Sequence, residues 1–135
     1  MIAKMPKSAP VLTHLDAERL KTLVAAEASK LSPLALELRR ATIIPAHSAP
    51  ADLVTMNSTV LFEDEEGAAP KEVTIVYPER EDERDAVSVL SPLGTSLLGS
   101  RVGRRCALFD GSSSSGALRV LAITYQPEAA GDWHL

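Results

Sequence analysis

The stretch THLDAERLKTLVAAEASKLSPLALELRRATIIP, residues 13–45, decides the fold. Thr13 followed three residues later by Asp16 is a helix-start signal, and Glu18 in the first turn complements the helix dipole. Asp16 is an alternative cap. From there to Lys30, Leu20, Leu23, Val24, Ala28 and Leu31 recur at helical spacing and form one apolar stripe. Ser32-Pro33 then restarts the pattern, with serine at the cap and proline at the first helical position. Leu34, Leu38 and Ala41 sit at i, i+4 and i+7 and make a second stripe. So few residues join the two segments that they are expected to fold back as an antiparallel pair, with Pro45 ending the second helix.

Outward from this hairpin, residues 1–12 read as a loose, proline-containing leader, and residues 46–53 as a linker, because Pro45, Pro50 and the small residues between them cannot continue a helix. From residue 54 to 135 the texture is that of strands. Thr59 to Phe62 is one short run, and Glu72 to Tyr77 is a second in which Val73, Ile75 and Tyr77 alternate with polar residues. Asp64-Glu65-Glu66-Gly67 between them is a polar turn. The acidic run Glu79 to Asp85 reads as a solvated loop, and Ala86 to Leu90 as a third strand. Ser91-Pro92 marks another helix start, with Leu93, Leu97 and Leu98 as a short apolar face ended by Gly99. Arg105 to Phe109 is a fourth strand, Gly111 through Gly116 a serine-rich hairpin connection, and Leu118 to Tyr125 the fifth strand. The expected class is α+β: a short antiparallel helical hairpin followed by a mostly antiparallel sheet domain with one short helix.

Charge divides along the same line. Residues 1–50 carry seven Lys/Arg against four Asp/Glu, a balance of +3; residues 51–135 carry seven against fourteen, a balance of −7. The whole chain is at −4, so it does not bind a phosphate backbone by charge alone. Hydrophobic residues are 45% but aromatics only 4%, which requires a core of Leu, Val, Ile and Ala. One cysteine, Cys106, excludes an internal disulfide and fits a reducing cytoplasm. No apolar run is long enough to span a membrane.

Catalytic patterns are missing. His14, His47 and His134 are scattered along the chain, with no zinc-ligand spacing. Cys106 falls inside an expected strand, without a base to activate it. Ser112 to Ser115 lack the rigid turn that a nucleophile needs. Glu63-Asp64-Glu65-Glu66 does not follow the calcium-loop pattern. Gly94, Gly99 and Gly103 match no phosphate-binding fingerprint. The basic group Arg101, Arg104, Arg105 has no interleaved aromatics, so stacking on nucleic acid is not supported. No catalytic residue, metal or cofactor is expected.

Several segments resemble one family. Leu15-Asp16-Ala17-Glu18-Arg19, Val54-Thr55-Met56-Asn57-Ser58, Ser91-Pro92-Leu93-Gly94 with Leu97-Leu98-Gly99 and Val102-Gly103, and the tail Tyr125-Gln126-Pro127-Glu128-Ala129-Ala130-Gly131-Asp132 are similar to the regulator of nucleoside diphosphate kinase (Rnk) family, relatives of the Gre transcript-cleavage factors. The likeness covers most of the chain after about residue 13. It implies an FKBP-like C-terminal domain behind an N-terminal coiled coil. It further implies docking on bacterial RNA polymerase at the rim of the secondary channel, in competition with Gre-type factors. Contact with the β′ subunit would run through Val89, Leu90, Ser91, Pro92 and Leu93. No sequence-specific nucleic acid and no membrane are implied as partners, and any link to nucleoside diphosphate kinase would be indirect.

A cleavage factor carries acidic side chains at the tip of its helical arm, where they hold a catalytic Mg²⁺. Here the tip reads Ala28-Ser29-Lys30-Leu31-Ser32-Pro33, without a carboxylate, and a helix of about 15 residues reaches only about 22 Å. The resemblance therefore implies a regulator that does not stimulate cleavage. One alternative is an active Gre-like cleavage or elongation factor. Another is an FKBP-type prolyl isomerase, for which only Phe62, Tyr77, Phe109, Tyr125 and Trp133 are available to line a pocket.

Overall fold

A computed structural model describes residues 9–26, 33–64, 69–109 and 114–132. The first helix, α1 (His14–Ala25), starts where the cap chemistry predicts: the Thr13 hydroxyl accepts from the Asp16 N–H at 3.1 Å. The second, α2 (Pro33–Arg40), begins at the proline. The expected tip, residues 27–32, lies outside the described residues. Leu20 and Leu34 are fully buried, while Leu23, Val24, Leu38 and Ala41 pack against the core with partial exposure.

Three differences flank this hairpin. The expected leader already contains a strand, β1 (Val11–Thr13), and Leu12 is 2% exposed. The second helix ends at Arg40 rather than running to Pro45, because Thr42, Ile43 and Ile44 form β2 (Thr42–Ile44), paired in parallel with β1. Three consecutive β-branched residues favour an extended backbone over a helix. The segment read as a linker is also structured. Ala46–Ser48 makes a 3₁₀ turn, and Leu53 has no exposed surface.

The sheet comprises β3 (Thr59–Asp64), β4 (Lys71–Val76), β5 (Ala86–Ser88), β6 (Arg105–Phe109) and β7 (Ser114–Tyr125), in the order β5-β4-β3-β7-β6. Every pairing is antiparallel except β4 with β5. β7 starts at Ser114, four residues before the sequence predicts, within the expected serine-rich connection. A short helix, α3 (Pro92–Leu97), packs on β4, β5 and β6, and α4 (Pro127–Ala130) closes the chain's described part. Hairpin residues Leu12, Ala17, Leu20 and Leu34 share one apolar cluster with Val60, Ile75, Val89, Leu97 and Val120 of the sheet half. Among the described residues, no helix is long and apolar enough to cross a membrane.

At the seam between the halves sits Asp16, 3% exposed, its carboxylate accepting from the Met56 N–H at 3.0 Å. Burial pushes its pKa up from 3.8 to about 6, and the charge of Glu128 adds to the rise, against the opposing hydrogen bond from Met56. The folded chain thus holds a proton between about pH 4 and 6 that the unfolded chain has released. The group's contribution is fully present below pH 4 and is lost as pH rises through 6. A rise of about two units corresponds to roughly 3 kcal/mol. Asp16→Asn keeps an acceptor for Met56 but removes the ionisation. Urea unfolding should show its stability rising relative to the natural chain between pH 4 and pH 7, by about 1–3 kcal/mol. Parallel pH profiles for the two proteins would contradict this assignment.

Candidate functional site

The loop from β5 into α3 is held by a short network of hydrogen bonds and one close backbone contact. The Val89 N–H donates to the Val76 carbonyl at 2.8 Å, extending the parallel ladder one residue beyond β5. Ser91 then caps α3: its hydroxyl donates to the Ser88 carbonyl at 2.7 Å and accepts from the Gly94 N–H at 3.1 Å. Pro92 occupies the first helical turn, where its missing N–H costs nothing. Thr95, buried inside the turn, donates its hydroxyl to the Val89 carbonyl at 2.6 Å. Gly94 is where loop and helix touch. A Cβ there would lie 2.1 Å from the Ser88 carbonyl oxygen, so no other residue fits without moving backbone.

This construction sorts the five residues expected to meet a partner. Val89 has no exposed surface and anchors the loop from inside the core. Leu90 and Leu93 are half-buried and rest on the core cluster, Ser91 is half-buried as the cap, and Pro92 is exposed. The four outer residues form a small, mixed apolar and polar face held by hydrogen bonds beneath it.

A second constellation was not foreseen. Val54–Ser58 and the tail after Tyr125 stood out in the sequence as separate motifs, and the structure joins them. Gln126 donates through Nε2 to the carbonyls of Pro50 at 2.7 Å and Leu53 at 2.8 Å. Its Oε1 accepts from the Ala129 N–H and so caps α4. The Thr55 hydroxyl donates to Glu128 at 2.7 Å and lies 2.8 Å from the Ser58 hydroxyl. With Asp16 held by Met56 on the other side, the segment 50–58 is clasped between α1 and α4. Arg19 and Tyr77 border the same site. Burial, with the nearby Asp16 charge, pushes the Tyr77 hydroxyl up to about 12. For the Asp16 side of this constellation the hint in the sequence was an acid in the first turn of a helix, where such a side chain usually faces water.

Asp16, Thr55, Gln126 and Glu128 each take part in a hydrogen bond that ties distant segments together. Among the described residues no cluster of three or more His, Cys, Asp or Glu is placed to hold a metal. The His14 ring Nδ1 accepts from the Ala46 N–H, tying α1 to the 3₁₀ turn. Cys106 is 7% exposed, with its sulfur 3.1 Å from the Ser100 hydroxyl. Trp133 and His134 lie outside the described residues, as do Glu65 to Ala68 and the first serines of the 110–113 stretch.

The family model described as transcription elongation factor, GreA/GreB, C-term, matches residues 49–125, the sheet half with its α3 loop. The chain belongs to the GreA/GreB transcription elongation factor family. Within it, the similarity is to the regulator of nucleoside diphosphate kinase of Escherichia coli K12, with 37% identity across 97% of this chain and all of the relative. The transcription elongation factor GreA of Chloroherpeton thalassium is also 37% identical, across 67% of this chain and 58% of its own length. Among solved structures, a GreA/GreB elongation factor from Nitrosomonas europaea superposes with a TM-score of 0.70 at 33% identity, over 90% of this chain and all of that one. The chain is thus a transcription-factor-like regulator of the Rnk type.

Since Gly94 holds the loop against the helix, Gly94→Ala should force the two apart at an otherwise buried contact. The expected cost is about 2–3 kcal/mol, seen as a lower urea midpoint. Unchanged stability would show that the 88–91 backbone yields freely and that the face is not rigid.

Proposed function

We propose that this protein regulates transcription in the cytoplasm by docking on RNA polymerase at the rim of the secondary channel, against the β′ subunit, without stimulating transcript cleavage. The docking face is Leu90, Ser91, Pro92 and Leu93, with Val89 as its anchor. The observation that carries this reading is the family match across the sheet half, combined with a surface loop fixed from beneath by Ser91, Gly94 and Thr95. Binding residues are commonly held on loops by a rigid scaffold, and this loop meets that requirement. In the same reading the sheet half is FKBP-like, a twisted sheet with one short helix laid across it.

The helical hairpin supports the non-cleaving part. Its described helices have 12 and 8 residues, about 18 Å and 12 Å long. The residues between them include no Asp and a single Glu, Glu27. A short arm poor in carboxylates occupies a binding rim without supplying ligands to a distant metal. The protein then acts by excluding longer-armed factors that use the same rim.

Retention of the purified chain on immobilised core polymerase at low salt tests the docking. Pro92→Asp changes only an exposed position and places an acid where a first helical turn tolerates one. It should weaken retention by roughly tenfold or more, about 1.4 kcal/mol, without loss of fold. In backtracked complexes the natural chain should add no cleavage of its own and should suppress cleavage stimulated by a Gre factor. Absence of retention would overturn the docking; cleavage above the factor-free control would overturn the non-cleaving role.

A further inference from the structure

Two carboxylates from opposite ends of the chain hold neighbouring residues of one buried segment. Asp16 of α1 accepts from the Met56 N–H at 3.0 Å, and Glu128 of α4 accepts from the Thr55 hydroxyl at 2.7 Å. Thr55 and Met56 are each 1% exposed. Like charges repel more strongly across a dry interior than across water, so a second ionised acid beside this segment is unfavourable. Among the described residues, the groups that face Asp16 are Arg19 on its own helix, Glu128 on α4 and the Tyr77 hydroxyl beyond β4, with Glu79 in turn acting on Tyr77. His14, at the start of α1, is turned to the Ala46 N–H instead.

The two acids differ in their freedom to respond. Asp16 is built into a helix of 12 residues whose Ala17 and Leu20 lie in the core. Glu128 is half-buried on a helix of 4 residues. So short a helix has little stability of its own and depends on its seat. The seat of α4 consists of buried Pro127, the Gln126 Nε2 bonds to the Pro50 and Leu53 carbonyls, and the Glu128 bond to Thr55. Release of Glu128 orphans no buried donor. The Thr55 hydroxyl lies 2.8 Å from the Ser58 hydroxyl, either of which can donate, so the Thr55 proton has a second acceptor. Two arrangements of the same groups are therefore both satisfied.

We propose that Asp16, Thr55 and Glu128 form a proton-operated latch: with Asp16 protonated, α4 stays seated on residues 50–58, and with both carboxylates ionised, Glu128 releases Thr55 and α4 loosens. Burial, with the added charge of Glu128, holds the Asp16 carboxyl up at about 6. The latch is thus closed on the acid side and opens as pH rises through that value. The hairpin keeps its place in the shared core, so the latch governs α4 and is independent of polymerase docking.

The side-chain amide protons of Gln126 read the latch in the natural chain, because both carbonyls they reach belong to the clasped segment. Their exchange with water can be followed by NMR from about pH 5 to about pH 8 and corrected against free glutamine amide. The corrected exchange should accelerate roughly tenfold or more, the effect of one pKa unit of coupling between the two acids. Glu128→Gln keeps an acceptor for Thr55 without the charge and should hold exchange at its acid-side rate throughout, as should Asp16→Asn. Glu81→Gln, at an exposed position of the acidic loop, should leave the acceleration in place. Corrected exchange that does not change across the range would overturn the proposal. So would an acceleration that persists in Glu128→Gln, since that variant retains the buried Asp16 and its effect on overall stability. If Asp16→Asn does not fold, the Glu128→Gln profile decides.

Discussion

The hydrogen bond from the Met56 N–H to the buried Asp16 carboxylate is the constraint on which the rest of this molecule depends. It joins the first turn of α1 to the segment that enters the sheet, 40 residues later. On the far side of that segment, Gln126 and Glu128 bind Pro50, Leu53 and Thr55. A buried backbone donor needs a partner, and a charged acceptor is a strong one that is costly to desolvate. The fold uses an acid that burial holds half-protonated near pH 6, where a neutral amide would satisfy the same donor. Polar groups of this kind fix which surfaces meet; apolar burial of Leu20, Leu34 and Met56 supplies the bulk of the cohesion. The consequence for function is that the hairpin is not a freely swinging arm. It shares a core with the sheet.

The face formed by the α3 loop follows from the same economy of parts. One glycine, one serine and one threonine hold four residues in place, through the Ser88 and Val89 carbonyls and the Gly94 N–H. A recognition surface preorganised in this way loses little conformational freedom on binding. The arm beside it is short. Under the proposed function, a fixed face and a stubby arm suit action by occupancy in a member of the GreA/GreB family that is 37% identical to a regulator of nucleoside diphosphate kinase over 97% of its length.

Much of this was legible in the sequence where the determinants are local. The Thr13 cap, the Pro33 start, the Ser91-Pro92 cap and the alternation of Val73, Ile75 and Tyr77 all depend on neighbours within four residues, and each marked a real element. The misses are non-local. Val11–Thr13 and Thr42–Ile44 are three-residue strands whose pairing spans 31 positions, so neither has a signal strong enough to be read alone. Ile43 is even 47% exposed, which removes the alternation that would mark a strand. Asp16 read as a helix-start residue and an alternative cap, because its burial is imposed by a distant backbone. Val89 fell within the strand read over Ala86 to Leu90, and its N–H does extend the ladder to Val76 one residue beyond β5. Glycine at 94 fitted no phosphate-binding fingerprint, and its steric role becomes visible only once the Ser88 carbonyl is placed above it.

The claim at the centre of this account is that the α3 loop is the surface presented to polymerase. A photoreactive amino acid at position 92, irradiated in a mixture of the full chain with core polymerase, tests it most directly. The account predicts a crosslink to the β′ subunit at the secondary-channel rim, and none from the same group at position 84 in the acidic loop. A crosslink from position 84 with silence at position 92 would contradict it.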